Sequence, residues 1–250
     1  TGSTNNIATP NGHQTTMTPS NGSEAFLVKF APDGSKLWGT YYGGDQPGQT
    51  FGSGIAIDDS NAVYLTGYTT SDTGIATPAS HQPALVSGYT SYLVKFDSTG
   101  DRIWGTYYGG TGLENGYGAT ADPWGNIYIT GYTSSPDNIA TSGALQQSLE
   151  GGNDVYVAKF NRDGVRLWGT YYGGAGYDAG WNVAADRFGS IYVTGFTNGA
   201  GISTPNGYQS VLGGGFDGFL IRLSECTAVE NPETIDGADS LCAETSSIYS

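Results

Sequence analysis

Short stretches in which apolar and polar residues alternate recur along the chain, and this pattern predicts β-strands. One set reads FLVKF, YLVKF, YVAKF and FLIRL, starting at Phe26, Tyr92, Tyr156 and Phe219. Another string, WGTYYGG, starts at Trp38, Trp104 and Trp168, so the repeat interval is about 65 residues. A tandem repeat of this kind predicts units that close a core only by packing against their neighbours.

Four strands are predicted in each unit from alternation and turn chemistry. In the best-defined unit they cover 54–58, 62–68, 92–96 and 102–108. The third and fourth strands are joined by turns such as Asn161-Arg162-Asp163-Gly164, where an Asn or Asp comes first and Gly fourth, as in type I turns. The unit is therefore predicted to be an antiparallel sheet whose short turns lie on one face and whose long loops lie on the other.

Repeated four-stranded antiparallel sheets are the blades of a β-propeller, and an all-β fold of about three and a half blades is predicted for residues 1–224. Thr1-Gly2 aligns with Thr66-Gly67 in mid-repeat, so the chain is expected to be a piece of a longer protein. The last unit has no WGTYYGG strand after Leu223. Its fourth strand is expected to come from a segment upstream of Thr1, because such closure removes free sheet edges.

Composition narrows the functional classes. The net charge is −14, from 9 Lys and Arg against 23 Asp and Glu, and this charge disfavours contact with nucleic acid and with anionic membrane surfaces. No stretch approaches the roughly 20 apolar residues that cross a bilayer. With 41 Gly and 18 Tyr, the sequence is typical of a turn-dense β protein.

A family resemblance rests on motifs that recur in the same order. GGNDVYVAKF from Gly151, the turn NRDG, the string TYYGG and the run DPWGNIYITGYTSS from Asp122 resemble the bacterial seven-bladed β-propeller (SBBP) repeat family. The resemblance implies a large exported bacterial protein, commonly with PKD-like or immunoglobulin-like modules, and often exported by the type IX secretion system of gliding bacteria. It implies no reaction.

The tail departs from the repeat. Residues 225–250 are acidic and are predicted to form a linker and the start of a PKD-like or immunoglobulin-like module. Both cysteines, Cys226 and Cys242, lie here. An extracellular setting permits a disulfide between them, and free or differently paired thiols remain the alternative.

Recurrence at one strand position indicates that the Trp and Tyr rows pack blade against blade, rather than stacking on sugars. His13 and His81 share a repeat position with Leu145 and Tyr208, which favours packing over catalysis. A sialidase-like site is disfavoured as well, because the spacing from Asp33-Gly34 to Trp38 does not fit its turn motif.

Acidic residues recur on the predicted long-loop face. Candidate binding residues there are Asp45, Glu114 and Asp178 in the loops between units, together with Trp181 at the start of a strand. A possible calcium set comprises Glu24, Asp154 and Asp217, each just before a third strand. The alternative is that each carboxylate caps a glycine-rich turn, and this interpretation is favoured, with no cofactor required.

These patterns favour a non-enzymatic, extracellular or cell-surface interaction, adhesion or spacer platform. The expected partners are a surface protein or glycan, and secretion machinery during export; membrane insertion is not expected. A carbohydrate-binding or glycan-hydrolysing propeller, with its site on the long-loop face, is the alternative.

Overall fold

The computed structural model describes residues 1–18, 22–225 and 241–249, and of Glu225 and 241–249 only the backbone. The described residues form fourteen strands and no helix. The strands are β1 (Ala25–Phe30), β2 (Lys36–Tyr42), β3 (Thr50–Ile57), β4 (Val63–Thr69), β5 (Thr90–Phe96), β6 (Arg102–Tyr108), β7 (Glu114–Ala121), β8 (Ile127–Thr133), β9 (Asp154–Phe160), β10 (Arg166–Tyr172), β11 (Asp178–Ala185), β12 (Ile191–Thr197), β13 (Asp217–Glu225) and β14 (Leu241–Tyr249).

The strands form an N-terminal hairpin and three four-stranded antiparallel blades. The hairpin is β1-β2; the first blade is β3-β4-β5-β6, the second β7-β8-β9-β10 and the third β11-β12-β13-β14. Sequence neighbours pair throughout, so every blade is a meander. The predicted all-β fold of four-stranded blades is confirmed as part of a β-propeller.

Strand bounds follow the prediction most closely where the repeat is strictest. The fourth strand of the first blade covers 102–108, as predicted. The first strand begins at Thr50 rather than Gly54, because a β-bulge between Gly52 and Gly54 interrupts the alternation.

The turns form as their residues predict. Gly34, Gly100 and Gly164 close the turns between third and fourth strands with φ values of 84°, 93° and 83°. Each turn is closed by a hydrogen bond from the glycine N–H to the carbonyl three residues earlier. Positive φ at the fourth position explains why glycine recurs there.

The three blades fan out from a common axis. Their first strands, β3, β7 and β11, lie against one another in succession and are therefore innermost. The outermost strands, β6 and β10, are instead separated from the following blade by the long loop between its second and third strands. Ile75, Ile139 and Ile202 of these loops are buried in the widening gap, at 0%, 0% and 2% exposure.

Tyrosines of the outer strands bind these loops across the gap. The Tyr42 hydroxyl donates to the Ile75 carbonyl at 2.7 Å, and the Tyr108 hydroxyl to the Ile139 carbonyl at 2.9 Å. Tyr172 repeats the bond with Ile202. The loop that lengthens each unit therefore acts as a wedge between blades, and we call it the wedge loop.

Trp38 and Trp104 contact the following blade near its short turn. Trp38 donates from Nε1 to the Ser98 carbonyl at 3.0 Å, and Trp104 donates to the Arg162 carbonyl at 3.2 Å. A Cβ added to Gly100 would lie 2.9 Å from the Trp38 indole, so the turn glycine also admits the ring. The prediction that the Trp and Tyr rows pack blade against blade is confirmed.

The fourth strand of the third blade differs from the prediction. The sequence predicts a strand from upstream of Thr1, but β14 pairs antiparallel with β13 and occupies that position. A strand from the adjoining tail satisfies the open hydrogen bonds of β13 without a distant segment. The linker and PKD-like assignment of 225–250 stays a prediction, and the Cys226–Cys242 pairing lies outside the described residues because Cys226 is not among them.

We expect Trp104→Ala to lower the free energy of unfolding by about 3–5 kcal/mol, because it empties a buried blade interface. Trp124, which is 56% exposed, provides the matched control. Trp124→Ala should change stability by about 0.5 kcal/mol or less. Urea denaturation followed by circular dichroism measures both, and equal losses for the two variants would contradict this account of the interface.

Candidate functional site

An aromatic band lies on the long-loop face near the inner strands. Six of its rings, from the second and third blades, are joined by ring contacts, and three rings of the first blade form a separate group. Its members are Phe51, Tyr68, Tyr89, Tyr117, Tyr132, Tyr177, Trp181, Phe196 and Phe216. Trp181, Phe216 and Tyr89 are 61%, 62% and 41% exposed, and the others are half-buried. This band is the largest exposed aromatic cluster that the described residues form.

β-Bulges in the innermost strands set the orientation of two side chains of the aromatic band, Tyr117 and Trp181. Tyr117 lies in the register shift between Gly116 and Gly118, and Trp181 in that between Gly180 and Asn182. A bulge turns an inner-strand side chain away from the regular alternation. The first blade has Ser53 at this position, so the bulge residue is aromatic only in the second and third blades.

Ring contacts join the band across the interface of the second and third blades. The centroids of Tyr117 and Trp181 lie 6.0 Å apart, and those of Tyr132 and Tyr177 lie 5.4 Å apart. Tyr177 stacks on Phe196 at 5.6 Å with an interplanar angle of 4°. These contacts hold the rings in fixed orientations, which favours a preformed contact surface.

The predicted binding carboxylates do not reach this surface together. Asp45 is exposed in a loop between units, whereas Glu114 and Asp178 are buried at 0% exposure in two different blade interfaces. Glu114 accepts hydrogen bonds from Thr133 at 2.8 Å, from the Gly110 N–H at 3.2 Å and from Ser135. Burial raises the pKa of Glu114. Of the four predicted binding residues, Trp181 alone belongs to the aromatic band.

The three residues of the predicted calcium set lie in different units: Glu24 precedes the N-terminal hairpin, Asp154 begins the third strand of the second blade and Asp217 the third strand of the third blade. Glu24, Asp154 and Asp217 each accept from a glutamine side chain, namely Gln14 at 2.8 Å, Gln146 at 2.6 Å and Gln209 at 3.3 Å. Each also accepts a backbone N–H from its own loop. These are the contacts of a cap. Within the parts of the chain that the structure describes, no three His, Cys, Asp or Glu side chains are grouped as a metal site.

The glutamine in these contacts was missed by sequence reasoning. Gln14, Gln82 and Gln146 accept the N–H of Gly43, Gly109 and Gly173, so each glutamine fixes the corner that follows an outer strand. The signal was available, because a glutamine ends the IATP element in all four copies.

The histidines pack against aromatic rings, as predicted. The ring of His13 lies 6.0 Å from that of Phe96, and the ring of His81 lies 5.8 Å from that of Phe160. Burial lowers the pKa of His81 to about 4. Arg102 and Arg166 are also engaged in structure, since they donate to the wedge-loop carbonyls of Gly74 and Asn138.

Two comparisons with known proteins bear on the fold. The family described as Beta-propeller repeat (SBBP) matches residues 37–73 and 167–203. Each match runs from the outer strand of one blade through two strands of the next. Part of the chain thus carries a known propeller repeat.

A WD repeat-containing protein of Acanthamoeba polyphaga mimivirus is 24% identical over 81% of this chain. The chain spans 17% of the length of that relative. Both comparisons agree with the blades in the structure. Among the described residues, no helix is long and apolar enough to span a membrane.

The depressed pKa of His81 predicts a pH dependence. The unfolded chain takes up a proton at this residue near pH 6.5, whereas the folded chain does so only near pH 4. The neutral His81 ring therefore contributes fully to the free energy of unfolding above pH 6.5, and this contribution is lost as the pH falls towards 4. We expect His81→Leu, which introduces the side chain that Leu145 has at the same repeat position, to flatten this fall.

Urea denaturation at several pH values measures the difference between wild type and variant. The comparison variant is His13→Leu. Burial lowers the pKa of His13 too, but the residue is more exposed than His81, so a smaller flattening is expected. Parallel stability curves for wild type and His81→Leu between pH 6.5 and 4 would show that burial does not perturb this histidine.

Proposed function

We propose that the chain is a non-catalytic binding module whose contact surface is the aromatic band. The single observation that carries this proposal is the set of half-buried and exposed rings held in fixed orientation by contacts across the interface of the second and third blades. Exposed apolar clusters with a polar rim are characteristic of interaction sites. Trp and Tyr contribute large contact areas at low conformational entropy.

A binding role without turnover fits the remaining side chains. Glu114 and Asp178 are fully buried, His13 and His81 pack on aromatic rings, and Arg102 and Arg166 hold wedge loops. Acid–base catalysis needs such groups within reach of a substrate proton. The groups that could act chemically are thus engaged in holding the blades together.

We further propose that this module belongs to a large exported bacterial protein and acts there in adhesion, as a spacer or in gliding. This proposal rests on the motif resemblance to SBBP repeats, which includes the PKD-like character of the tail and export by the type IX system. The acidic net charge suits a soluble surface module that does not adhere to anionic lipid. The partner would be a surface protein, with secretion machinery as a transient partner during export.

A second candidate is glycan binding at the same surface. Trp181 and Phe216 present 61% and 62% of their surface to solvent, and aromatic faces of this kind can stack on apolar ligand faces. The Tyr132 hydroxyl accepts from Asn115 at 2.8 Å, so polar groups border the rings. A sugar ring needs that combination of an apolar face and a hydrogen-bonding edge.

For a protein partner, we expect a photo-crosslinking residue at position 181 to form a discrete adduct in cells that produce the protein. The same residue at position 188, where Phe188 is 75% exposed in a short turn, should form none. Adducts of equal yield at both positions would contradict the assignment of the surface. External protease on the same intact cells should degrade the module if it lies outside the cell.

For a glycan ligand, we expect wild-type protein to bind a defined subset of a glycan array. Trp181→Ala should reduce the affinity by about 5- to 150-fold, if a sugar stacked on the indole contributes about 1–3 kcal/mol, as a nucleic-acid base does. Trp124→Ala should retain it. An array on which wild type and Trp181→Ala give the same signals excludes this candidate without affecting the protein-partner proposal.

A further inference from the structure

Two carboxylates meet at the interface of the second and third blades. Asp154 begins β9, Asp178 begins β11, and both side chains are buried at 0% exposure. A Cβ built on Gly173 would lie 2.7 Å from Asp154 Oδ1 and 2.8 Å from Asp178 Oδ2. These two oxygens are therefore no farther apart than the sum of those distances.

One oxygen of each carboxylate has a partner and the other has none. Asp154 Oδ2 accepts from Gln146 at 2.6 Å and from the Glu150 N–H at 3.0 Å, and Asp178 Oδ2 accepts from the Gly174 N–H at 2.8 Å. Asp154 Oδ1 and Asp178 Oδ1 are buried without a hydrogen-bond partner. Unpaired buried carboxylate oxygens are costly and require an explanation.

At the corresponding place in the interface between the first and second blades, both oxygens of the buried carboxylate accept hydrogen bonds. Between the first and second blades, the positions of Asp154 and Asp178 hold Thr90 and Glu114. Glu114 Oε1 accepts from Thr133 and from Ser135. Gly199 replaces Ser135 in the third blade, so Asp178 loses this hydroxyl donor.

Compared with the interface between the first and second blades, the interface between the second and third blades has one more carboxylate, that of Asp154. It also has one hydroxyl donor fewer, because Gly199 replaces Ser135. The charged groups that shift the pKa of Asp154 are Asp178 and Glu150, both acidic, and burial with these neighbours raises it to about 6. Burial also raises the pKa of Asp178, and the nearby Thr197 hydroxyl opposes that rise. This hydroxyl donates to the Gly199 carbonyl at 3.1 Å, which leaves Asp178 Oδ1 without a hydrogen-bond partner. The pair thus lacks the positive charge that stabilises buried carboxylates elsewhere.

We propose that Asp154 and Asp178 bind one calcium ion between the second and third blades. Calcium prefers hard oxygen ligands and accepts carboxylates together with backbone carbonyls and water, so two carboxylates suffice as the charged part of a site. The ion would be bound by one residue from each of two blades and would stabilise their packing against each other. This site differs from the set Glu24, Asp154 and Asp217, whose members lie in three different units, and it does not depend on the proposed function.

The test is calcium binding by the whole chain, measured by isothermal titration calorimetry and by thermal unfolding with calcium or with EGTA. Wild type should bind one ion and gain about 5 °C or more in Tm at a calcium concentration roughly 100-fold above Kd. Asp154→Thr restores the residue found at the neighbouring interface, and should abolish both effects while folding in EGTA. Asp45→Asn, which removes an exposed carboxylate, should retain both.

Two results would overturn the proposal. If calcium leaves the Tm of wild type unchanged, and Asp154→Thr only removes a pH dependence of stability near pH 6, then a shared proton neutralises the pair. If Asp154→Thr and Asp178→Asn still bind calcium with unchanged affinity, the ion binds elsewhere.

Discussion

Sheets that diverge from a common axis leave gaps that widen towards the outside, and filling those gaps is the constraint on which this structure depends. Near the axis, β3, β7 and β11 touch directly. Farther out, the distance is bridged by the outer-strand aromatics and by the wedge loops with their buried isoleucines. The length of each repeat unit follows from this requirement, because the wedge loop is the part that exceeds a minimal blade.

The same three contacts recur at the interface of the hairpin with the first blade and at that of the first with the second blade, and the tyrosine and glutamine contacts recur once more at the next interface. A tryptophan contacts the next turn, a tyrosine hydroxyl binds the next wedge loop, and a glutamine fixes the corner after the outer strand. Because these contacts hold the blades in place, other positions can change without loss of the fold. Ser53, Tyr117 and Trp181 share one bulge position, and Thr90 and Asp154 share one interface position. The aromatic band and the carboxylate pair are both variations of this kind.

Most features that recur in the repeat were predicted from the sequence, although the recurring glutamine that ends the IATP element was missed. The blades, the turns with positive-φ glycines and the burial of the Trp and Tyr rows were all predictable from strings present in three or four copies. Features that occur once were not recoverable. The meeting of Asp154 and Asp178 depends on neighbouring strands from different blades, and the pairing of β14 with β13 depends on a tail outside the repeat. The bulges were missed because an inserted residue hides the period of two on which strand assignment rests.

The central claim is that aromatic side chains of one blade pack energetically against those of the next. A double-mutant cycle between Tyr108 in β6 and Phe160 in β9 measures this directly, since their rings lie 5.8 Å apart at 79° across a blade interface. With Tyr108→Leu, Phe160→Leu and the double variant, the account predicts a coupling free energy of about 0.5–1.5 kcal/mol. Additive losses, with a coupling indistinguishable from zero, would contradict it.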